Sequence, residues 1–201
     1  MDSKVHRSNF TSMKNIFFTI IISTLIFSCG GDAFTPKPKG YFRIDLPKKE
    51  YLPIDKDCPF NFEIPNYSSL QPDANRPDKP CWFDLNFTDL NASIYFSYIP
   101  IEDNLNEKLE DSRTLAFKHT VKAFDIEQQV ISFPDKKVYG LVYEIEGNAA
   151  SSYQFHLTDS ANHFIRGSLY FNHIPNQDSI QPVLEFVKED ITHIFETFEW
   201  K

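Results

Sequence analysis

Between Cys81 and the C-terminus the chain alternates apolar and polar residues with two different periods. Phe83, Leu85 and Phe87 alternate with Asp84, Asn86 and Thr88. After Asp89-Leu90-Asn91, Ile94, Phe96 and Tyr98 alternate with Ser93, Tyr95 and Ser97. Period two on both sides of a turn predicts an antiparallel hairpin with one face in the core. From Asn104 the period lengthens. Leu105, Leu109, Ala116 and Ala123 mark one face of a predicted helix, and Glu107, Lys108, Glu110 and Asp111 mark the other. Asn104 with Glu107 resembles a capping box, and no proline falls between Ile101 and Phe133. Four strand-like runs follow: Gln129–Phe133, Val138–Glu146, Tyr153–Leu157 and His163–Phe171. Pro134-Asp135-Lys136, Gly147-Asn148-Ala149-Ala150-Ser151 and Thr158-Asp159-Ser160-Ala161-Asn162 join them. Connections this short favour an antiparallel meander. A last helix opens after Asn176-Gln177-Asp178, with Pro182 in its first turn. Ile180, Leu184, Val187, Ile191, Ile194 and Phe198 form its apolar face, which Phe195 widens.

The segment before the hairpin has a different texture. Pro47, Pro53, Pro59, Pro65, Pro72, Pro77 and Pro80 punctuate it, and only Phe60-Asn61-Phe62-Glu63-Ile64 alternates like a strand. It is predicted to be mostly irregular and laid over the core. The expected fold class is α+β: a twisted antiparallel sheet packed with two main helices, one before the meander and one after. This element order resembles the Mog1/PsbP-like domains, a likeness of topology that carries little about function.

The first 28 residues have the pattern of an export leader. Ile16–Phe27 is a run broken only by Thr19, Ser23 and Thr24. It is shorter than the ~20 apolar residues a membrane span needs and has the length of a signal h-region, with Lys14 as its positive flank. Leu25-Ile26-Phe27-Ser28-Cys29-Gly30 then matches a lipobox. Ser28 is the small residue before the cut, Ile26 an aliphatic residue three positions before Cys29, and Phe27 a less usual neighbour. The alternatives are an ordinary secretory signal with a chance cysteine, or an N-terminal anchor. Met13-Lys14-Asn15 makes a better start than Met1, because Asp2, His6 and Arg7 are unlike a leader. The expected organisation is a signal peptide over 1–28, a lipidated tether over 29–40 and one globular domain over 41–201. The tether's Pro36-Lys37-Pro38-Lys39 excludes helix.

Composition narrows the function classes. The chain has 201 residues, 41% hydrophobic and 15% aromatic, which is the make-up of a folded protein. The net charge is −8, and removal of the leader makes it more negative still. No basic stripe relieves that charge, so nucleic acid is not an expected partner. Once Cys29 carries lipid, Cys58 and Cys81 remain, an even pair in an exported chain, and a disulfide is favoured over two buried thiols.

Catalytic chemistry is hard to find. Asp159, Ser160 and His163 are close in sequence, but a triad is defined by geometry, and turn chemistry explains the same residues. His156 and His163 stand near the ends of consecutive strand runs and could approach each other; two separate histidines are the plainer expectation. Arg113 and Arg166 invite pairing with a buried acid more than ligand binding. The small-residue run Gly147–Ser152 permits close approach of another backbone, a partner or a tight turn. There is no glycine-rich phosphate loop, G-x-S-x-G elbow or zinc motif. No catalytic, cofactor-binding or metal-binding residue is therefore assigned, and a non-enzymatic protein is expected.

Several stretches together resemble a known family. They are Tyr41-Phe42-Arg43-Ile44-Asp45-Leu46-Pro47, Cys58-Pro59-Phe60, Pro80-Cys81-Trp82, Asp111-Ser112-Arg113-Thr114-Leu115-Ala116, 147–151, Leu157-Thr158-Asp159-Ser160 with His163-Phe164-Ile165-Arg166-Gly167, and the ending Glu196–Lys201. In this order they look like the gliding motility lipoprotein GldD family of Bacteroidetes. That resemblance implies an envelope lipoprotein needed for gliding, accessory to the type IX secretion machinery, with other gliding and secretion proteins as partners. It carries no assigned active site or cofactor, and only Cys29 transfers as a functional position. The alternative is a periplasmic binding module for a small ligand or a peptidoglycan fragment.

Overall fold

The computed structural model describes residues 44–173 and 176–201. The expected leader, Cys29 and the expected tether lie outside the described residues. Of the two units into which the chain divides, the second, Tyr41–Lys201, holds every element described below.

The two alternating runs after Cys81 pair as predicted. Strand β5 (Phe83–Phe87) and β6 (Ala92–Pro100) form an antiparallel hairpin after four shorter strands: β1 (Tyr51–Pro53), β2 (Phe60–Asn61), β3 (Glu63–Pro65) and β4 (Ser69–Pro72). A 3-10 turn over Thr88–Leu90 closes the hairpin, with Asn91 in the left-handed region that asparagine tolerates. Its register sets Phe83 beside Phe96 and Leu85 beside Ile94, all buried. Helix α1 (Leu105–Phe117) then carries the chain across the sheet to β7 (Ala123–Phe133), at the far edge. The chain returns through β8 (Val138–Gly147), β9 (Ser151–Thr158) and β10 (His163–Phe171), each antiparallel to the last, and β10 docks against β6. The sheet order is β4-β5-β6-β10-β9-β8-β7. Helix α2 (Gln177–Thr197) and the terminal β11 (Glu199–Trp200) complete an α+β fold with the sheet packed against helices.

Helix α2 buries the face its sequence predicts. Val187, Ile191 and Ile194 are fully buried, and Ile180, Leu184, Phe195 and Phe198 nearly so. Opposite them lie the inward residues of the sheet, among them Leu85, Ile94, Phe155, Leu157 and Leu169. Phe60 and Phe62 stack on Phe198 at 5.7 and 5.8 Å, tying the proline-rich segment to the end of α2. Gly167 lets the Phe155 ring lie over the strand: a Cβ there would come within 2.1 Å of that ring. Phe195 meets the same ring edge-on at 4.8 Å.

Three expectations need correcting. Helix α1 stops at Phe117, so Ala123 is no part of its face and instead begins β7, which starts six residues before Gln129. The apolar stripe is too thin to carry the helix on: only Ser112 and Ala116 of α1 are buried. The capping box does not form, because Asn104 Oδ1 accepts from the Glu102 N–H at 3.1 Å. Pro182 stands sixth in α2, past its first turn, where it removes one main-chain donor. The proline-rich segment is mostly irregular, as predicted, but four short strands interrupt it. Pro53, Pro65 and Pro72 each end a strand, where a missing N–H does little harm. β1 pairs β3, β2 pairs β11, and β4 extends the main sheet.

Cys58 and Cys81 are disulfide-bonded, with Cα atoms 5.8 Å apart and both residues buried. Closing a loop of 23 residues contributes about 3 kcal/mol in the chain-entropy description.

Candidate functional site

Because side chains alternate across a strand, the core claims one face of the sheet and leaves the other with the polar set. On β5, β6, β9 and β10 that set includes Asp84, Tyr95, Ser97, Gln154, His156, Arg166, Ser168 and Tyr170. The register lines them up: Asp84 opposes Tyr95, Tyr95 opposes Ser168, Ser97 opposes Arg166, and Ser168 opposes Gln154. Helix α1 covers only part of this face. Ser112 Oγ lies 3.2 Å from His156 Nδ1, and the His156 ring stacks on Phe164 at 5.2 Å. Burial first, and the nearby Arg166 charge second, push the His156 imidazole down to about 4.

Beyond the helix a cleft of about 300 Å³ opens across β5, β6 and β10. Asp73, Trp82, Asp84, Tyr95, Phe96, Ser97, Arg166, Ser168 and Tyr170 line it. Arg166 Nη2 donates to Gln154 Oε1 at 2.6 Å. Arg166 Nε, Gln154 Nε2 and Ser168 Oγ are buried without a hydrogen-bond partner among the described residues. The expectation that Arg166 pairs with a buried acid is thus not met, since its neighbour is a neutral amide. Burial lowers the guanidinium's affinity for its proton. At the other end, burial and the adjacent Asp73 raise the Asp84 carboxyl. The cleft therefore holds a cation and an acid that do not neutralise each other.

The other residues singled out in the sequence fall elsewhere. Asp159 Oδ1 accepts from the N–H groups of Ala161, Asn162 and His163 at 2.8–3.0 Å, while Ser160 is exposed with φ +67°. Burial alone would raise the Asp159 carboxyl, but these donors outweigh it and hold it low. His163 turns away, 2.8 Å from the Tyr98 hydroxyl and stacked on Trp200 at 5.2 Å. The three residues cap a turn and do not form a triad. His156 opposes Arg166 in the register while Phe164 opposes Thr158, so His156 and His163 point to opposite faces of the sheet. Arg113 is exposed, 3.7 Å from Glu110 on its own helix. Gly147 has φ +115°, and a Cβ there would meet Lys122 O at 2.6 Å. The backbone that the small-residue run admits is therefore the chain's own.

Sequence reasoning named Arg166 but missed Asp84, Tyr95, Gln154 and Ser168. Each sits at an alternate polar position of a strand, where solvent is the ordinary neighbour. The available signal was that four consecutive strands of the sheet carry polar residues at facing positions.

The α+β domain keeps one face of its sheet under a helix and leaves a polar cleft on the other, which defines a fold class and not yet a function. A family model for the gliding motility lipoprotein GldD matches residues 31–200, most of the chain, and the chain belongs to that family. Comparison with curated proteins finds no match. Membership makes this a gliding-motility-related lipoprotein, lipid-anchored in the cell envelope. Among the described residues no helix is long and apolar enough to cross a membrane.

Proposed function

We propose that the protein is a non-catalytic accessory of the gliding and type IX secretion apparatus, held to the membrane by lipid on Cys29 and acting by binding another envelope protein. The observation that supports binding is the far edge of the sheet. Strand β7 runs for 11 residues and pairs only with β8 among the described residues. Phe124 and Val130 on it, and Val121 just before it, are 83, 74 and 91% exposed. A long edge with unpaired main-chain groups and bare apolar side chains is a template for another strand, and natural proteins normally blunt such edges. Strand addition by an extended segment of an envelope partner satisfies both features.

The test is a photo-cross-linking amino acid placed at Phe124 in living cells, with the same probe at exposed Thr88 as the control. Adducts with gliding or secretion components at Phe124 alone are expected. Equal adducts at both positions, or none at Phe124, would remove the β7 edge as the docking surface.

A further inference from the structure

We propose that the cleft between Asp84 and Arg166 binds a short peptide, with the peptide's carboxylate on Arg166 and its ammonium group on Asp84. The inference does not depend on the gliding role, since it concerns the opposite end of the sheet from β7 and is tested on purified protein.

The first support is the state of Arg166. A largely buried guanidinium normally holds a carboxylate, because taking the charge out of water is otherwise uncompensated. Among the described residues its side chain has one hydrogen bond, to an amide, and its Nε has no partner. Ser168 Oγ, two residues on along the same face, is also without a partner. Those two atoms are closed to water, but the residue as a whole is only half-buried and lines the cleft, so the open edge of the guanidinium can meet a carboxylate.

The second support is the acidic end. Asp84 makes no ion pair among the described residues, and its charged neighbour is a second acid, Asp73. Such a pair attracts a cation and disfavours an anion. Spacing then selects the ligand. Asp84 and Arg166 lie two strand intervals apart across β5, β6 and β10 and two residues apart along them, roughly 12 Å between Cα atoms at the usual strand separation and rise. That exceeds the short gap between amine and carboxylate in a single amino acid. It suits about three extended residues at ~3.4 Å each.

The walls agree with that size. Trp82, Tyr95 and Tyr170 present aromatic surface along the cleft. Trp82 is fixed there by its Nε1–H bond to Tyr98 O at 2.7 Å and by Arg76 over its ring at 4.9 Å. A volume of about 300 Å³ is at the small end of ligand sites, as a short peptide requires.

The experiment is isothermal titration calorimetry of the detergent-solubilised, full lipoprotein with four probes: trialanine, N-acetyl-trialanine, trialanine amide and acetate. Trialanine is expected to saturate one site. Amidation of its carboxylate, or Arg166→Gln, should weaken binding at least tenfold. N-acetylation, or Asp84→Asn, should weaken it several-fold, and acetylation should cost nothing further in Asp84→Asn. The peptide modifications need no altered protein, so the result stands even if a variant folds poorly. No saturable binding of trialanine, or equal binding of trialanine and its amide, would overturn the proposal. Acetate binding as tightly as trialanine would leave a simple anion site and overturn the peptide assignment.

Discussion

Lys49 Nζ donates to Asp190 Oδ1 at 2.6 Å, although the two residues are 141 positions apart and the Asp190 side chain is fully buried. Asp190 lies on α2, among the residues that form the core. Its oxygens are all used: Tyr51 OH donates to Oδ1 at 2.9 Å and Tyr67 OH to Oδ2 at 2.6 Å. Lys49 also bonds Phe186 O at 2.8 Å and lies over the Phe186 ring at 3.8 Å. Burial, and then the bond to Asp190, push both tyrosine hydroxyls well above their ordinary range, so they remain donors at every pH the cell meets. One buried carboxylate thus fastens the first described segment of the domain to its last helix.

The first prediction concerns that fastening. Lys49→Met removes the one cation that meets this buried carboxylate among the described residues and leaves two hydroxyl donors. Breaking a buried pair from one side typically costs ~3–5 kcal/mol; Lys49 is itself partly solvated, so about 3 kcal/mol is expected. Tyr67→Phe should cost less, about 1.5–3 kcal/mol for one bond to a charged acceptor. Urea denaturation measures both. A Lys49→Met midpoint equal to the parent would show that the carboxylate does not need its cation.

His156 supplies a pH dependence. Its imidazole titrates at about 4 in the folded chain and near 6.5 when unfolded. Above pH 6.5 neither state binds the proton, and the full stability is present. As pH falls from 6.5 to 4 only the unfolded state takes the proton, so stability is lost across that window and levels off below it. At ~1.4 kcal/mol per unit the loss is about 3 kcal/mol. His156→Gln keeps a polar group near Ser112 but cannot titrate. Subtracting its stability curve from the parent's should isolate a decline between pH 6.5 and 4. Parallel curves would mean that His156 is open to water in solution.

Gly167 gives a packing prediction. Gly167→Ala puts a methyl where the Phe155 ring now lies, and Phe195 limits the ring's retreat. Overpacking of this kind typically costs ~1–3 kcal/mol. In Gly167→Ala/Phe155→Leu the two costs should sum to more than the double variant loses, since the smaller side chain relieves the clash. Strict additivity in thermal melts would show that the ring does not rest on Gly167.

What the sequence made legible follows from the length of each periodic signal. Helix α2 was plain because Ile180, Leu184, Val187, Ile191, Ile194 and Phe198 repeat one face over five turns, and all six are buried. The β5–β6 hairpin was plain because Phe83, Leu85, Phe87, Ile94 and Phe96 are buried at alternate positions, whereas the meander was legible from its short connections, since β9 is buried throughout and β7 at one position only. The join between α1 and β7 was obscure, since Ala116 and Ala123 suit a helical face by spacing alone, and tertiary pairing with β8 decides the matter. Strands of two or three residues such as β1, β2 and β11 are too short to show a period. In sequence Asp190 is one acid among several in its helix, because Lys49, Tyr51 and Tyr67, which make its burial possible, are 123 or more residues away. The Asp84–Arg166 cleft stayed hidden for a related reason: only the register of three strands reveals that its polar residues face one another.

The last prediction bears on the proposed role. A tethered accessory that works by binding needs its anchor and its surface, and no proton-transfer group. Asp159→Ala and His163→Ala alter the sequence cluster that comes nearest to a catalytic one; Asp159 caps a turn and His163 packs on Trp200. Both variants should therefore restore gliding to a deletion strain, provided that immunoblots show normal abundance. Cys29→Ala should not restore it, and the protein should no longer incorporate radiolabelled palmitate. The deletion strain itself should neither spread on agar nor export type IX cargo. A deletion strain that glides fully would refute the proposed role. Loss of gliding in a stable, abundant His163→Ala protein would place a chemical function at the end of β10. Continued palmitate labelling of Cys29→Ala would move the lipid anchor to another residue.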